Sequence, residues 1–400
     1  MKLSEFAEVC HEFWDSYFSW VYSLQLQGMV KPAENKVMLY PQIILCTQTK
    51  NNFCFELMGS SKKYNGLIVK ERKQNCIYEY LGQFPKGVGG GSMFNLNSGG
   101  GGFQHLCLSH EVNFDAIEKR FPMVSRYKSR LIRSGSNDCL FEFGKDFKDV
   151  YFNDCVFISV KGSLCRSKHI IELRVVRKNI PKDDLINSLN SYVKGSNEVK
   201  GVSTVDPIIE KECLIAGQLQ SLYLTPSMHE TTIGDYLNEN KDIICMALGV
   251  KSFVYEPYLD WIEKPEDMPD KAINPDAMLE RHDGFFDICD FKTGLLSKRK
   301  LTKGERRRRR FIDGVNEGLA QLANYEEYFD FDKNKQHALE KYKIVTDDIN
   351  KLLIVGNFDN SIEQEFYQAL RPFKNVMVID YDSLIQRYLA NSKLSRGLIE

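Results

Sequence analysis

The 400-residue sequence lacks several features that would place it at once in a protein class. Its 11 cysteines include no C-x-x-C pair and follow no regular spacing, which predicts reduced, mostly buried thiols in a cytoplasmic protein. The glycine-rich stretch at 86–102, "KGVGGGSMFNLNSGGGG", lacks the G-x-x-x-x-G-K-[ST] order of a phosphate-cradling loop and predicts a surface loop. The formal net charge of −1 gives no overall attraction to nucleic acid, so such binding requires a local basic cluster.

Long uninterrupted hydrophobic runs are also lacking. Residues 1–30 are apolar and aromatic, but charged residues such as Glu5, Glu8 and Asp15 interrupt them. Such a stretch is neither a cleavable signal peptide nor a membrane span. We predict an amphipathic helix that docks its aromatic side chains on the first domain, and no membrane partner.

The length and the composition along the chain predict two domains. Residues from about 35 to 180 consist of short strand-like runs separated by Gly, Asn and Asp. The polar segment 194–207 has no hydrophobic period and predicts the boundary. We therefore expect a mostly-β domain over 1–200. Over 205–400 strands and helices alternate, which predicts an α/β domain with a mixed central sheet flanked by helices.

Two acids and a lysine stand out in "PDAMLERHDGFFDICDFKTG". In the strand "FFDICDFK", the period of two places Asp290 and Lys292 on the same face. The Asp-Gly pair in "HDGF" (282–285) predicts a hairpin turn, which folds the preceding strand back and brings Asp276 alongside. Two converging carboxylates repel each other unless a cation lies between them, and oxygen ligands suit Mg²⁺.

The lysine completes a recognisable chemistry. Its ammonium group cannot bind a metal ion, but it can orient an attacking water or stabilise negative charge in a transition state. Asp276, Asp290 and Lys292 together predict metal-assisted hydrolysis of a phosphodiester. The alternative is an exposed hairpin with surface charges. Asp283 and Asp287 compete for the metal role, although Asp287 lies three residues from Asp290 and so on the opposite strand face.

A strongly basic segment follows the acidic pair. The stretch 297–310, "SKRKLTKGERRRRR", contains nine basic residues. Such a run is usually a solvated loop, but beside a phosphodiester site it would attract a nucleic-acid backbone. The candidate DNA contacts are Lys298, Arg299, Lys300, Arg306, Arg307, Arg308, Arg309 and Arg310.

The next predicted helix carries two further candidates. Gln321 and Tyr325 are four residues apart, so they share a helix face and could form a polar wall over the site. Plain surface or packing roles are the alternative for both.

These residues resemble the motifs of a known nuclease group. The pattern "PDAML…FFDICDFKTG…GLAQLANY" resembles the PD-(D/E)xK nuclease superfamily: Asp276, Asp290 and Lys292 match its acids and lysine, and Gln321 and Tyr325 match a Q-x-x-x-Y element found in part of it. The flanking "TTIGDYLNENKDII", "KLLIVGN" and "NVMVIDYDSLIQRY" resemble the nuclease domain of the Shedu family of bacterial anti-phage defence proteins. The resemblance covers about 220–395.

The resemblance implies a restriction-endonuclease-like fold and a DNA endonuclease that uses Mg²⁺ or Mn²⁺. Asp276 and Asp290 would bind the metal ion, and Lys292 would act on the attacking water or the transition state. It also implies a homo-oligomer, a dimer or tetramer, that limits phage in the bacterial cytoplasm, with a regulatory or sensing N-terminal domain. Members often carry another acid on the preceding helix, for which Glu230 is the first candidate and Asp235 the second.

The sequence departs from the family pattern at one position, and other functions remain as alternatives. The second acid is Asp where many relatives have Glu, which shortens its reach towards a metal ion by one methylene. The protein could also be a repair or restriction-type nuclease, or a non-enzymatic DNA-binding scaffold with a vestigial nuclease core.

Overall fold

The computed structural model of the chain describes residues 1–32, 36–74, 76–81, 92–96, 98–109, 131–133, 139–144, 146–161, 164–195, 198–205, 207–224, 229–265 and 269–395. The chain divides into two compact units, one mainly Met1–Ser159 and Ser167–Ser221, the other mainly Leu222–Asn391. Both contain helices, and both contain sheets with parallel and antiparallel strand pairs, which confirms the predicted mixture of α and β structure. None of the helices described has the length and apolar character that crossing a membrane requires.

The first unit is built mainly from strands. They are β1 (Val37–Leu39), β2 (Ile43–Gln48), β3 (Asn52–Met58), β4 (Ile68–Lys73), β5 (Ser92–Asn95), β6 (Ser98–Gln104), β7 (Cys107–Ser109), β8 (Leu131–Arg133), β9 (Cys139–Glu142), β10 (Asp146–Lys161), β11 (Leu164–Arg177) and β12 (Ser203–Val205). Its helices are α1 (Leu3–Leu26), α2 (Ile77–Tyr80), α3 (Lys182–Lys194) and α4 (Glu210–Tyr223), the last preceded by a 3-10 turn at Pro207–Ile209.

The main sheet of the first unit has the strand order β4-β2-β3-β11-β10-β7-β8, and β6 also pairs with β10. Helix α1 packs on β2, β3 and β4, as the N-terminal pattern predicts. Phe6 stacks on Phe53 with ring centroids 4.9 Å apart, and the buried Trp14 packs edge-on against Phe55. These aromatic contacts between helix and sheet form the core of this unit.

Two segments expected to be loops contain strands. In the glycine-rich stretch 86–102, β5 covers Ser92–Asn95, and β6 begins at Ser98 and pairs in parallel with β10; 86–91 and 97 lie outside the described residues. Glycine fits this pairing because a Cβ on Gly102 would lie 2.2 Å from the Tyr151 ring. In the expected boundary segment, β12 pairs with β1, and the division between the units falls after Ser221.

The sheet of the first unit contains a fully buried acid. Glu172 on β11 accepts hydrogen bonds from the Tyr192 hydroxyl (2.8 Å) and from the Asn153 amide (3.0 Å). Its other carboxyl oxygen has no hydrogen-bond partner in the described part of the chain. Burial raises the pKa of Glu172 from 4.5 to about 7, and these hydrogen bonds offset only part of that effect.

The first prediction concerns the pH dependence that Glu172 introduces. The folded chain binds this proton more tightly than the unfolded chain, so the stabilisation is complete below about pH 4.5 and is lost as the pH rises through 7. The loss across that range is roughly 3 kcal/mol. Glu172→Gln keeps an acceptor oxygen but does not titrate, so the free energies of unfolding of parent and variant in urea should diverge from pH 4.5 to about 7 and then differ by a constant amount. Glu12→Gln, at an exposed position of α1, is the matched control. A parent-minus-variant difference that stays constant with pH would contradict the prediction.

The second unit alternates strands and helices. Its strands are β13 (Ser252–Tyr255), β14 (Leu259–Asp260), β15 (Ala272–Ile273), β16 (Ala277–Glu280), β17 (Phe286–Phe291), β18 (Thr302–Lys303), β19 (Arg310–Phe311), β20 (Lys351–Ile354) and β21 (Val376–Ile379). Its helices are α5 (Glu230–Glu239), α6 (Asp242–Leu248), α7 (Asp313–Tyr328), α8 (Asp332–Tyr342), α9 (Glu363–Ala369) and α10 (Tyr381–Ser395), with a 3-10 turn at Arg306–Arg308.

The central sheet of the second unit has the order β13-β16-β17-β20-β21. The pairs β13–β16 and β16–β17 are antiparallel, whereas β17–β20 and β20–β21 are parallel. Helix α7 lies in the connection between the parallel strands β17 and β20 and packs on both. Strand β17 therefore occupies the middle of a mixed sheet, with covered faces.

One helix expected from the pattern is in fact two. The face shared by Ile233, Leu237 and Ile244 predicts a continuous helix, but α5 ends at Glu239 and α6 starts at Asp242. The helix ends where Asn240 leaves the helical conformation (φ −115°, ψ 58°), and the Asn240 side-chain amide caps the Tyr236 carbonyl (3.0 Å).

Candidate active site

The hairpin that carries the acidic pair forms as predicted. Strands β16 and β17 pair with Ala277 opposite Cys289. The turn is closed by the Arg281 N–H, which donates to the Phe285 carbonyl (2.8 Å). Gly284 adopts a φ of 89°, a conformation that favours glycine and explains the Asp-Gly sequence of the turn.

The hairpin brings the two acids together. The carboxyl groups of Asp276 and Asp290 lie within hydrogen-bonding distance of each other. Asp276 Oδ2 also accepts a hydrogen bond from the Phe291 N–H (2.6 Å), and Asp290 is 1 % exposed. Burial raises the pKa of both carboxyls, and the charge of Asp290 raises that of Asp276 further, so the pair holds a proton more strongly than exposed acids do.

Lys292 lies directly beside this pair. Its Nζ is 2.7 Å from Asp290 Oδ2 and 3.4 Å from Glu230 Oε2. Burial alone would lower the pKa of Lys292, but the neighbouring carboxylates, Asp290 first, raise it to about 12. The side chain is therefore a permanent cation at neutral pH, suited to stabilising negative charge and unable to act as a base.

The structure separates the two candidates for a further acid. Glu230 is the first residue of α5, a helix that packs on β17, and its carboxylate contacts the Lys292 ammonium. Asp235 lies one turn further along and accepts a hydrogen bond from the Tyr255 hydroxyl (3.1 Å). Of the two, Glu230 is the acid that reaches the lysine.

Helix α7 passes over the same site. A Cβ on Gly318 would lie 3.3 Å from Lys292 Cε and 2.9 Å from Leu353 Cδ1, so the absence of a side chain lets the helix approach. Gln321 lies one turn later, and its buried Oε1 has no hydrogen-bond partner within the described ranges. Burial and the charges of the two acids raise the pKa of Tyr325 to about 12, and its hydroxyl donates to the Asn274 carbonyl (3.3 Å). The helix thus adds neutral polar groups to the site.

The donor set fits a hard divalent cation. Asp290 Oδ2 is buried and, apart from the ion-pair contact with Lys292, has no hydrogen-bond partner among the residues that the structure describes. Within the described part of the chain, no three His, Cys, Asp or Glu side chains group closely enough to hold a metal ion by themselves. Mg²⁺ does not require such a group, because it usually keeps several waters and takes one or two carboxylates together with substrate phosphates.

The competing acids of the hairpin lie away from this cluster. Asp283 accepts hydrogen bonds from Arg281 and from the Phe285 N–H within the turn. Asp287 accepts hydrogen bonds from Arg281 and from Asn350. Both carboxylates therefore serve the turn and its neighbouring loop.

Some cations of the basic segment form ion pairs, and several are exposed to solvent. Lys300 and Arg309 both form ion pairs with Glu365 of α9, and Arg309 also donates to Gln368. Lys298, Arg299, Arg307, Arg308 and Arg310 are exposed, while the side chain of Arg306 lies outside the described residues. The segment is therefore a folded element, β18 to β19, anchored to α9 through Glu365, and not the fully solvated loop that its composition suggests.

A second set of residues holds the main chain of the site, and sequence reasoning did not identify it. The buried Tyr381 hydroxyl donates to the Lys292 carbonyl (2.6 Å). The amides of Asn357 and Asn360 both donate to the Gly294 carbonyl (2.9 and 3.0 Å). A Cβ on Gly294 would lie 2.4 Å from the Tyr223 carbonyl oxygen. No spacing rule connects these distant residues to residue 292, so only the fold reveals them.

Comparison with known proteins gives no assignment: no family model matches the chain, and no curated protein matches it in sequence. The function must therefore be inferred from the site.

The second prediction tests the close approach of α7 to Lys292. Gly318→Ala and Gly314→Ala both add a methyl group to the same helix, but the added Cβ at Gly314 meets nothing within 4 Å. Both gain helix propensity, and only Gly318→Ala forces Leu353 and Lys292 to move. We expect Gly318→Ala to be less stable than Gly314→Ala by about 1–3 kcal/mol in thermal or urea unfolding. Equal stability of the two variants would show that α7 does not press on the lysine.

Proposed function

We propose that the chain is a metal-dependent DNA endonuclease of the restriction-endonuclease-like type. The observation that carries this proposal is the meeting of Asp276, Asp290 and Lys292 at one end of β17. Two adjacent carboxylates and an ammonium can together support metal-assisted phosphodiester hydrolysis, and the resemblance of these residues to the PD-(D/E)xK motif points in the same direction.

Each group has a distinct role in the proposed reaction. Asp276 and Asp290 would hold a Mg²⁺ or Mn²⁺ ion, which lowers the pKa of a bound water and polarises the phosphate when present. Lys292, a cation at neutral pH, orients the attacking water and stabilises the negative charge that develops on the phosphate oxygens. Glu230 fixes the lysine from its other side.

Helix α7 and the basic segment complete the proposed machinery. Gln321 and Tyr325 form its polar wall, where neutral donors and acceptors can orient water or substrate without adding charge. The exposed cations of the basic segment supply the attraction for a DNA backbone. Lys300 and Arg309 form ion pairs with Glu365, so their first role is to stabilise the folded segment.

The biological role that we propose is defence against phage, in the cytoplasm of a bacterium and as a homo-oligomer. The similarity of the segments around the site to the Shedu family supports this role. The first unit would then regulate the nuclease or sense the invader.

The third prediction concerns the lysine. Lys292→Met removes the ammonium and keeps the length of the side chain, so DNA cleavage with Mg²⁺ or Mn²⁺ should fall roughly 100- to 1,000-fold. DNA affinity should change less than about twofold, since the variant keeps the basic segment. The measurement is a plasmid and linear-DNA cleavage assay across a metal series, with binding measured in Ca²⁺.

Lys251→Met is the matched control for this experiment. Lys251 is an exposed lysine of the same unit that pairs with Glu280, and its loss should leave cleavage unchanged. Absence of cleavage with every divalent cation, or full activity of Lys292→Met, would overturn the proposed reaction. Plating phage on cells that carry either variant tests the defence role, which fails if Lys292→Met protects as well as the parent.

The fourth prediction tests whether the exposed arginines of the basic segment contact DNA. Arg307→Ala and Arg308→Ala should each weaken DNA binding and reduce the slope of log affinity against log salt by about one. Arg371→Ala, an exposed arginine outside the segment, is the control and should leave the slope unchanged. An unaltered slope in both segment variants would show that the segment does not contact the DNA backbone.

A further inference from the structure

The first unit contains a cavity of about 600 Å³, within the size range of small-molecule sites. Its walls come from the turn Thr49–Asn52 between β2 and β3, from helix α2, from residues around Phe143 and Phe147, and from the chain that leaves β11 at Arg177. These parts are distant in sequence, and the sheet brings them together at one end of its strands.

The charged side chains that line the cavity are all cationic. They are Lys50, Arg177 and Lys178, and no Asp or Glu is among the described residues of the lining. In the part of the chain that the structure describes, none of the three has an ion-pair partner. Unpaired cations around a concave surface focus a positive potential into it, so the cavity favours an anion.

The three cations are held together by the backbone. Arg177 lies opposite Asn52 in the β11–β3 pair, and the Lys178 N–H donates to the Asn51 carbonyl (3.0 Å). The turn itself is closed by the Thr49 N–H, which donates to the Asn52 carbonyl (2.8 Å). The main chain of Lys50 is therefore held close to that of Arg177 and Lys178, and all three side chains line the cavity.

Aromatic rings form the remaining wall. Tyr78 and Phe143 pack edge-on with centroids 5.4 Å apart, and Phe143 packs edge-on against Phe147 at 5.0 Å. The Phe143 N–H donates to the Tyr78 hydroxyl (3.2 Å), which fixes the first pair. Phe147 is buried, so the half-buried rings of Tyr78 and Phe143 are the ones that offer a surface on which a planar group can stack.

We propose that this cavity binds a free mononucleotide, with the phosphate at Lys50, Arg177 and Lys178 and the base against the aromatic wall. An anion without a ring would use only the first set of groups, and an uncharged nucleoside only the second. The inference is independent of the proposed nuclease site, since every residue that carries it belongs to the first unit.

The fifth prediction tests this assignment by isothermal titration calorimetry on the full chain. The probes are AMP, GMP, CMP and UMP, with inorganic phosphate and adenosine as the two half-ligands. At least one mononucleotide should bind, and both half-ligands should bind at least tenfold more weakly than that mononucleotide. Equal affinity for inorganic phosphate, or no binding of any mononucleotide, would overturn the proposal.

Variants locate the binding in this cavity. Arg177→Gln and Lys50→Gln should each weaken mononucleotide binding at least tenfold; Lys50 is exposed on a turn, so its variant tests the site even if Arg177→Gln fails to fold. Lys63→Gln, at an exposed position outside the cavity, is the control and should bind as the parent does. Unchanged affinity of Lys50→Gln and of a folded Arg177→Gln would place the binding elsewhere. Tighter binding of a 5′-phosphorylated dinucleotide would make the cavity a nucleic-acid contact and contradict the assignment to a free mononucleotide.

Discussion

The pairing of two buried carboxyl groups at the end of one hairpin is the constraint around which the second unit is arranged. Asp276 and Asp290 are withdrawn from water and repel each other when both are charged. The Phe291 N–H and the Lys292 ammonium offset part of this cost by donating to or contacting the two carboxylates. Asp290 lies on β17 and Asp276 directly precedes its partner strand β16, so the paired hairpin holds the main chains of the two acids close together. The site is therefore as rigid as the sheet that carries it.

The same constraint explains why so many distant residues meet at the segment that follows β17. The Lys292 ammonium can act beside the acids only if it stays close to them. A fixed main chain at Lys292 helps to keep it there. Tyr381 holds the carbonyl of Lys292, and Asn357 and Asn360 hold the carbonyl of Gly294. Asn357 and Asn360 follow β20, and Tyr381 follows β21; these two strands form the side of the sheet that is parallel to β17. Residues that follow the parallel strands thus hold the main chain next to the acidic pair, which the antiparallel hairpin brings together.

Sequence reasoning succeeded where the controlling interactions are local. The period of two in β17 and the Asp-Gly turn act over a few residues, and they were enough to predict the hairpin and the meeting of its two acids. It failed where a partner lies far along the chain. Nothing near Arg309 shows that Glu365 will bind it, and nothing near residue 294 shows that two asparagines will hold it. The break at Asn240 lies between these cases. It is local, because Asn240 leaves the helical conformation and its side chain caps the Tyr236 carbonyl, but the hydrophobic pattern continues across it.

The cost of the acidic pair is also the reason for proposing cleavage in place of DNA binding alone. Replacing buried charged groups by well-packed apolar ones is often neutral or stabilising, so a scaffold would lose nothing by giving up Asp276 and Asp290. Its affinity for DNA would come from the exposed side chains of Arg307, Arg308 and Arg310, and would not need acids at positions 276 and 290. A binding role leaves the buried acids and the adjacent Lys292 without a purpose, whereas strained or costly arrangements are expected at functional sites. Hydrolysis at the pair accounts for the acids, the lysine and the basic segment together.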